Sequence, residues 1–172
     1  MKNIVLVGYM GCGKSTIAKK LSDKLHKKHL DLDHLLELKE ELSIEQLFQY
    51  KGELYFRKKE HELFLEQLQN PESIILSTGG GTPCYYDHHL LLQSEGVVSI
   101  YLKASIDTLV GRLKYGKHKR PLIANKSEED LRDFISKHLF ERNYYYNHAT
   151  YTVNVDNKTQ EEIVEEISLL LT

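Results

Sequence analysis

The sequence predicts an α/β fold: a three-layer α/β/α arrangement around a parallel sheet. Three observations carry that expectation. First, short apolar runs fit to be buried strands alternate with stretches of helical periodicity along the 172 residues, the pattern of a parallel sheet covered on both faces. Second, the first strand and helix are joined by Gly8-Tyr9-Met10-Gly11-Cys12-Gly13-Lys14-Ser15, so a strand, a glycine loop and a helix start meet at one point. Third, the residues best suited to chemistry follow the first three strands: the glycine loop, then Asp31 and Asp33, then Gly79-Gly80-Gly81. In open parallel sheets, ligands bind beyond the carboxyl ends of the strands.

The elements follow in order. Ile4-Val5-Leu6-Val7 marks a strand over Asn3–Val7. Ile17, Ala18, Leu21 and Leu25 recur at helical spacing over 14–27. His29–Asp31 is the next short strand, which makes the first helix a crossover of the right-handed kind. Residues 34–41 read as helix. Ser43 with Gln46 makes a capping box for a helix carrying Ile44, Leu47 and Phe48. Gly52 breaks that pattern, and a long helix resumes over Leu54–Leu68 until Asn70-Pro71 stops it. A strand over Ser73–Ser77 runs into the glycine triplet. A helix over 86–94, a strand over Val97–Leu102 and a helix over 105–114 come next. Tyr115–Leu122 is basic, broken by Gly and Pro, and reads as a loop. Ser127, with acidic residues behind it, caps a helix running to about Tyr145. Tyr151–Val155 alternates as a last strand, and Thr159 caps a final amphipathic helix.

The length suits one domain, 1–172, with a single core. A formal charge of −2 gives no reason to expect nucleic acid or an anionic membrane. No apolar run reaches a membrane span, and the N-terminal strand passes straight into the glycine loop, unlike a secretory signal. The two cysteines, Cys12 and Cys84, lack CxxC spacing; this suits a reducing cytoplasm and argues against a disulfide framework or a zinc site. The nine histidines form no ligand pattern, and the neighbours His88 and His89 read as surface residues.

The glycine loop fits G-x-x-x-x-G-K-[ST], whose N–H groups cradle phosphates at a helix N-terminus. Lys14 would reach the β- and γ-phosphates, and the Ser15 hydroxyl would sit on Mg²⁺. Asp33 suits a helix cap. Two aspartates beside a phosphate loop also suit phosphoryl transfer, one orienting an alcohol and one supporting the metal. Gly79-Gly80-Gly81 is either a flexible turn or a place where a ligand approaches the backbone. Ser77-Thr78 could help hold metal-bound water or merely satisfy local backbone groups. Arg57, Arg120 and Arg142 say little singly. Asn125-Lys126-Ser127-Glu128 imitates a guanine-reading motif but opens a helix instead of ending a strand. Tyr144-Tyr145-Tyr146 suits packing better than base stacking. Cys12 is either a reactive thiol near a helix N-terminus, shielded by nucleotide, or an inert filler of the loop.

Over nearly its whole length the chain resembles the shikimate kinases. The likeness rests on an ordered set: Gly8–Ser15, Asp31-x-Asp33, Phe56-Arg57, Gly79-Gly80-Gly81, Arg120-Pro121-Leu122, and Arg142 followed by tyrosines. The resemblance implies the fold of nucleoside monophosphate kinases, with a five-stranded parallel sheet of order 2-3-1-4-5, a substrate-binding helical part at about 33–61 and a mobile lid at about 114–125. It implies transfer of the ATP γ-phosphoryl to the 3-hydroxyl of shikimate, with Mg²⁺, in a cytoplasmic monomer. Carried over by position, Asp33 would hold the shikimate hydroxyls and act as the catalytic carboxylate. Arg57 and Arg142 would clamp the substrate carboxylate beside the backbone of Gly79, Gly80 and Gly81, with Glu60 orienting Arg57. Ile44, Phe48 and Phe56 would supply apolar contacts. Gly11, Cys12, Gly13, Lys14, Ser15 and Thr16 would hold the phosphates, with Arg120 reaching the transferring group and Arg112 near adenine. Ser15 and Asp31 would support the metal. Two positions depart from the commoner pattern: Leu32 stands where threonine is frequent, and no proline follows Arg142. Another small-molecule kinase on the same scaffold, or a non-catalytic nucleotide switch, is the competing reading.

Overall fold

In the computed structural model, which describes residues 2–116 and 120–172, β1 (Asn3–Val7) lies at the centre of a five-stranded sheet. On one side it pairs with β3 (Ile75–Ser77), Ile4 opposite Ile75; on the other with β4 (Val97–Lys103), Ile4 opposite Val98. β2 (His29–Asp31) flanks β3, and β5 (Tyr151–Asn154) flanks β4. All pairs are parallel, and the order is β2-β3-β1-β4-β5, as expected. Every residue of β1 is buried. Successive side chains of a strand point to opposite faces, so both faces of the sheet are covered.

The cover comes from helices with legible caps. α1 (Lys14–Leu25) packs on α8 (Gln160–Leu170), and α6 (Ile106–Leu113) on α7 (Glu128–Tyr146). α2 (Leu32–Glu40), α3 (Ile44–Lys51) and α4 (Glu53–Leu68) pack on one another beyond β2. The Ser43–Gln46 box caps α3, a Thr159–Glu162 box caps α8, and Ser127 caps α7. The stretch that imitates a guanine-reading motif is thus a helix start.

Several boundaries move, each for a local reason. α1 stops at Leu25 because His26 takes a left-handed conformation, φ 52°. The cap of α2 is Asp31, whose carboxylate accepts the His34 N–H at 3.1 Å; Asp33, expected at that place, lies inside the first turn with its side chain released from capping. β3 begins only at Ile75, since the Asn3 side chain takes the Ile74 N–H and Ser73 bonds the Lys2 carbonyl. The helix expected over 86–94 shrinks to α5 (His88–Leu91), because Tyr86 and Asp87 both adopt positive φ after a 3-10 turn at Thr82–Cys84. That kink turns His88 and His89 inward. They are 0 % and 7 % exposed, not surface residues.

Candidate active site

The glycine loop is built by backbone geometry that side chains resist. Gly8, Gly11 and Gly13 have φ of 146°, 83° and 105°, and a Cβ on Gly8 would lie 2.8 Å from the Leu102 carbonyl oxygen. Lys14 Nζ donates to the Gly8 carbonyl at 2.6 Å and to the Tyr9 carbonyl at 3.2 Å. These bonds hold the ammonium over the loop, on the cleft side. Cys12 is buried and its Sγ faces Gly8, the placement of a residue that fills the loop, and it also belongs to the cleft wall.

Next to the loop, Ser15 Oγ donates to Asp31 Oδ2 at 2.9 Å, and Ser77 Oγ donates to the same oxygen at 3.1 Å. Thr78, by contrast, bonds the Leu6 carbonyl. A carboxylate and two hydroxyls are hard oxygen donors, and Mg²⁺ sites commonly use one or two such groups plus substrate phosphates. The residues present therefore fit the ion, with Asp31 and Ser15 at the loop's edge.

Asp33 projects from the first turn of α2 toward the third strand's end. Burial pushes its carboxyl up to about 6; Glu60 and Asp31 add to the shift, while Lys14 and Arg57 oppose it. Those four partners come from the two ends of the site, so Asp33 sits in the field of both.

The glycine triplet explains itself residue by residue. A Cβ on Gly79 would lie 3.1 Å from Asp33 Oδ1, one on Gly80 would lie 3.3 Å from Arg142 Nη1, and one on Gly81 would lie 2.6 Å from Arg57 Nη2. None of the three has positive φ. Glycine is needed here for close approach, not for an unusual turn. Each glycine admits one of the three side chains: Asp33, Arg142 or Arg57.

The two arginines are held from behind. Arg57 Nη1 donates to Glu60 Oε1 at 2.8 Å, and its guanidinium lies 4.0 Å from the Tyr85 ring centre and 5.0 Å from that of Phe56. Phe56 in turn packs on Phe48 at 4.5 Å. Ile44 rests against the core. Arg142 stands 5.7 Å from the Tyr9 ring centre. Tyr146, one turn further along α7, donates to the Gly80 carbonyl at 2.6 Å. Without a proline there, α7 is helical on both sides of Arg142, as far as Tyr146, and the Tyr9 ring and a hydrogen bond with Tyr146 hold the Arg142 side chain. Tyr146 is buried, while Tyr144 is largely exposed, so the tyrosine run includes one core residue.

A cleft of about 660 Å³ opens between these parts. Its wall contains Gly11 to Thr16, Asp31, Asp33, Gly79, Gly80, Arg112 and Arg120. Arg57, Gly81 and Arg142 are not in that wall; they stand just past Gly80, at its far end. Arg112 Nη1 bonds the Gly11 and Cys12 carbonyls at 3.1 and 3.0 Å, bracing the loop's rim. Of the expected lid over 114–125, residues 117–119 lie outside the described residues, and Tyr115 and Arg120 line the cleft. Lys158, Gln160 and Ile163, from the chain's far end, line it too; nothing in their spacing marks them beforehand.

The family model for shikimate kinase matches residues 10–172. The chain belongs to the shikimate kinase family. A shikimate kinase of Flavobacterium johnsoniae is 58% identical over 167 residues, covering 97% of both chains. Among solved structures, the shikimate kinase of Bacteroides thetaiotaomicron superposes with a TM-score of 0.91 at 33% identity, covering 99% of this chain and 98% of that one. The shikimate kinase of Acinetobacter baumannii in complex with shikimate superposes with a TM-score of 0.86 at 29% identity, covering 99% and 93%. As in shikimate kinases generally, the reaction to be accommodated is phosphoryl transfer from ATP to an alcohol on a small carboxylic acid. A phosphate loop at one end and a pair of arginines at the other suit those two substrates.

Proposed function

We propose that this shikimate kinase transfers the γ-phosphoryl group of ATP to the 3-hydroxyl of shikimate, with the residues in the following roles. Gly11 to Thr16 cradle the polyphosphate, and Lys14 exchanges its loop carbonyls for the β- and γ-phosphate oxygens. Arg57 and Arg142, beside the backbone of Gly79–Gly81, grip the shikimate carboxylate. Asp33 orients the attacking hydroxyl and accepts its proton. A carboxyl that burial pushes up to about 6 suits a general base working near neutral pH. Arg120 reaches the transferring phosphoryl from the lid side, and Arg112 braces the nucleotide end. Mg²⁺, held through Ser15 and Asp31, would neutralise charge building on the phosphates. Fixing the acid at two arginines fixes the ring, and so decides which hydroxyl faces the phosphorus.

The observation that carries this reading is the glycine triplet. Three successive residues admit Asp33, Arg142 and Arg57 in turn, so one carboxyl group and two guanidinium groups share a ledge next to the glycine loop, an arrangement that suits a base and a carboxylate clamp. A nucleotide switch has no use for that ledge. No helix among the described residues is long and apolar enough to cross a membrane, and the two cysteines are free. A formal charge of −2 gives no reason to expect a nucleic-acid partner, and a monomer working in the cytoplasm is the state proposed. ADP release, coupled to an indicator reaction, tests the assignment. Saturable turnover with shikimate, and none with nucleoside monophosphates or gluconate, is expected. Turnover with a nucleoside monophosphate and none with shikimate would reject it.

A further inference from the structure

Behind Arg57 runs a chain of hydrogen bonds that phosphoryl transfer itself does not require. Glu60 is 1 % exposed and has both oxygens engaged: Oε1 accepts from Arg57 Nη1 at 2.8 Å, and Oε2 accepts from Thr82 Oγ1 at 2.8 Å. The carbonyl of Thr82 is 2.8 Å from His88 Nδ1, and His88 Nε2 is 2.8 Å from His61 Nδ1. A carbonyl can only accept, so His88 carries its proton on Nδ1. With His88 neutral, Nε2 then accepts from His61 Nδ1–H. His88 is fully buried against the Phe64 ring, 4.6 Å between centres, and His61 stacks on Tyr86 at 4.4 Å. Burial first, then the neighbouring His61 and Arg57, push His88 down to about 4, against the opposing Thr82 bond and Asp87; it stays neutral under working conditions, and the direction of every bond is fixed.

We propose that Thr82 and His88 are positioning residues for the Arg57–Glu60 pair, and so for recognition of the substrate carboxylate. An arginine and a glutamate three residues apart on one helix can pair in several rotamers. Thr82 removes that freedom. It ties the second oxygen of Glu60 to the residue immediately after the glycine triplet, so α4 and the ledge are locked in one register. His88 locks Thr82 in turn, by its carbonyl. If the Thr82 hydroxyl is lost, a buried carboxylate oxygen is left without a donor. The carboxylate rotates to recover one and draws the Arg57 guanidinium off the ledge. The proposal rests on the assignment of Arg57 as a carboxylate clamp.

The test is steady-state kinetics on the full chain, with shikimate and ATP varied separately. Thr82→Val, nearly isosteric, should raise KM for shikimate on the order of tenfold, the worth of one hydrogen bond to a charged group. KM for ATP should stay within about twofold, since no bond to the phosphate loop changes. Thr82→Ser should restore the shikimate KM. His88→Asn, which keeps a donor near the place of Nδ1, should lie closer to the unaltered enzyme than His88→Leu. Should Thr82→Val fail to fold, Thr82→Ala is read in its place. A shikimate KM within twofold of the unaltered enzyme in Thr82→Val, a Thr82→Ser as impaired as the valine, or an equal rise in both KM values would each overturn the proposal. Arg57→Lys serves as the separating control. If it leaves shikimate KM unchanged, the clamp itself is wrong; if it raises KM while Thr82→Val does not, only the positioning role falls.

Discussion

Asp33 shows how much of the chemistry is set by the surroundings of one side chain. Its carboxyl is pushed up to about 6, by burial first and then by Glu60 and Asp31. If it must lose its proton to work, kcat/KM for shikimate should rise with pH through a limb near 6 and level off above it, as measured in a pH–rate profile. A profile flat from pH 5 to 8 would remove Asp33 from the proton-accepting role. The same shift has a consequence for stability, with a definite sign. The folded-state value is above the ordinary 3.8, so the fold favours the protonated form. That contribution is complete below about pH 4 and is lost as pH rises through 6. Asp33→Asn should therefore be more stable than the unaltered enzyme at pH 8, by on the order of 2–3 kcal/mol. The difference should shrink at pH 5. Equal melting differences at both pH values would contradict it. The two aspartates were legible in the sequence as a pair beside a phosphate loop. Which of them caps α2 was not, because a capping Asp31 and a capping Asp33 produce nearly the same local pattern.

At the scale of elements, the glycine triplet and α7 decide where the arginines point. A Cβ on Gly81 would lie 2.6 Å from Arg57 Nη2, the far end of a flexible side chain. Gly81→Ala should fold, displace the guanidinium, and weaken shikimate by about 1.5–3 kcal/mol with ATP little affected, as isothermal titration with each ligand would show. Unaltered shikimate affinity would mean that Arg57 can bind from elsewhere. Tyr146→Phe removes the bond from α7 to the Gly80 carbonyl, 2.6 Å long. Thermal or denaturant unfolding should show a loss of about 1 kcal/mol; no loss would make that contact incidental. The caps at Ser43, Ser127 and Thr159 could be read from the chain because a cap is a local arrangement of three or four residues. The inward turn of His88 and His89 could not. It follows from positive φ at Tyr86 and Asp87, of which only Asp87 is a residue type that favours turns, and from partners on α4 and α7 far away in the chain. The packing role read for the tyrosine run holds for Tyr146, which is buried, but the partner of its hydroxyl could not be read, since that hydroxyl finds Gly80 only once the sheet has formed.

At the scale of the whole molecule, the parallel sheet brings the ends of β1, β2 and β3 together. The phosphate loop, the Asp31–Asp33 segment and the glycine ledge meet there because their strands are neighbours in the order β2-β3-β1. That convergence was visible in the sequence for the glycine loop and the glycine triplet, which follow the apolar runs Ile4–Val7 and Ile74–Leu76; Asp31 follows only the short stretch His29-Leu30. The contributions of Arg112, Lys158 and Gln160 to the cleft wall were less so, as they depend on where α6 and the start of α8 come to lie beside the loop. The resulting cleft has the glycine loop with Lys14 at one end and Arg57 and Arg142 just past the other, and Asp33 feels Lys14 and Arg57, one charge from each. The proposed transfer requires Asp33 to act between two ligands that other residues hold. The most direct check is Asp33→Asn, with turnover by ADP release and binding of ATP and shikimate by titration on the same preparation. Turnover should fall by about 10²-fold or more while ATP affinity is unchanged and shikimate still binds through the arginines. Undiminished turnover, or a loss of ATP binding equal to the loss of rate, would contradict the account.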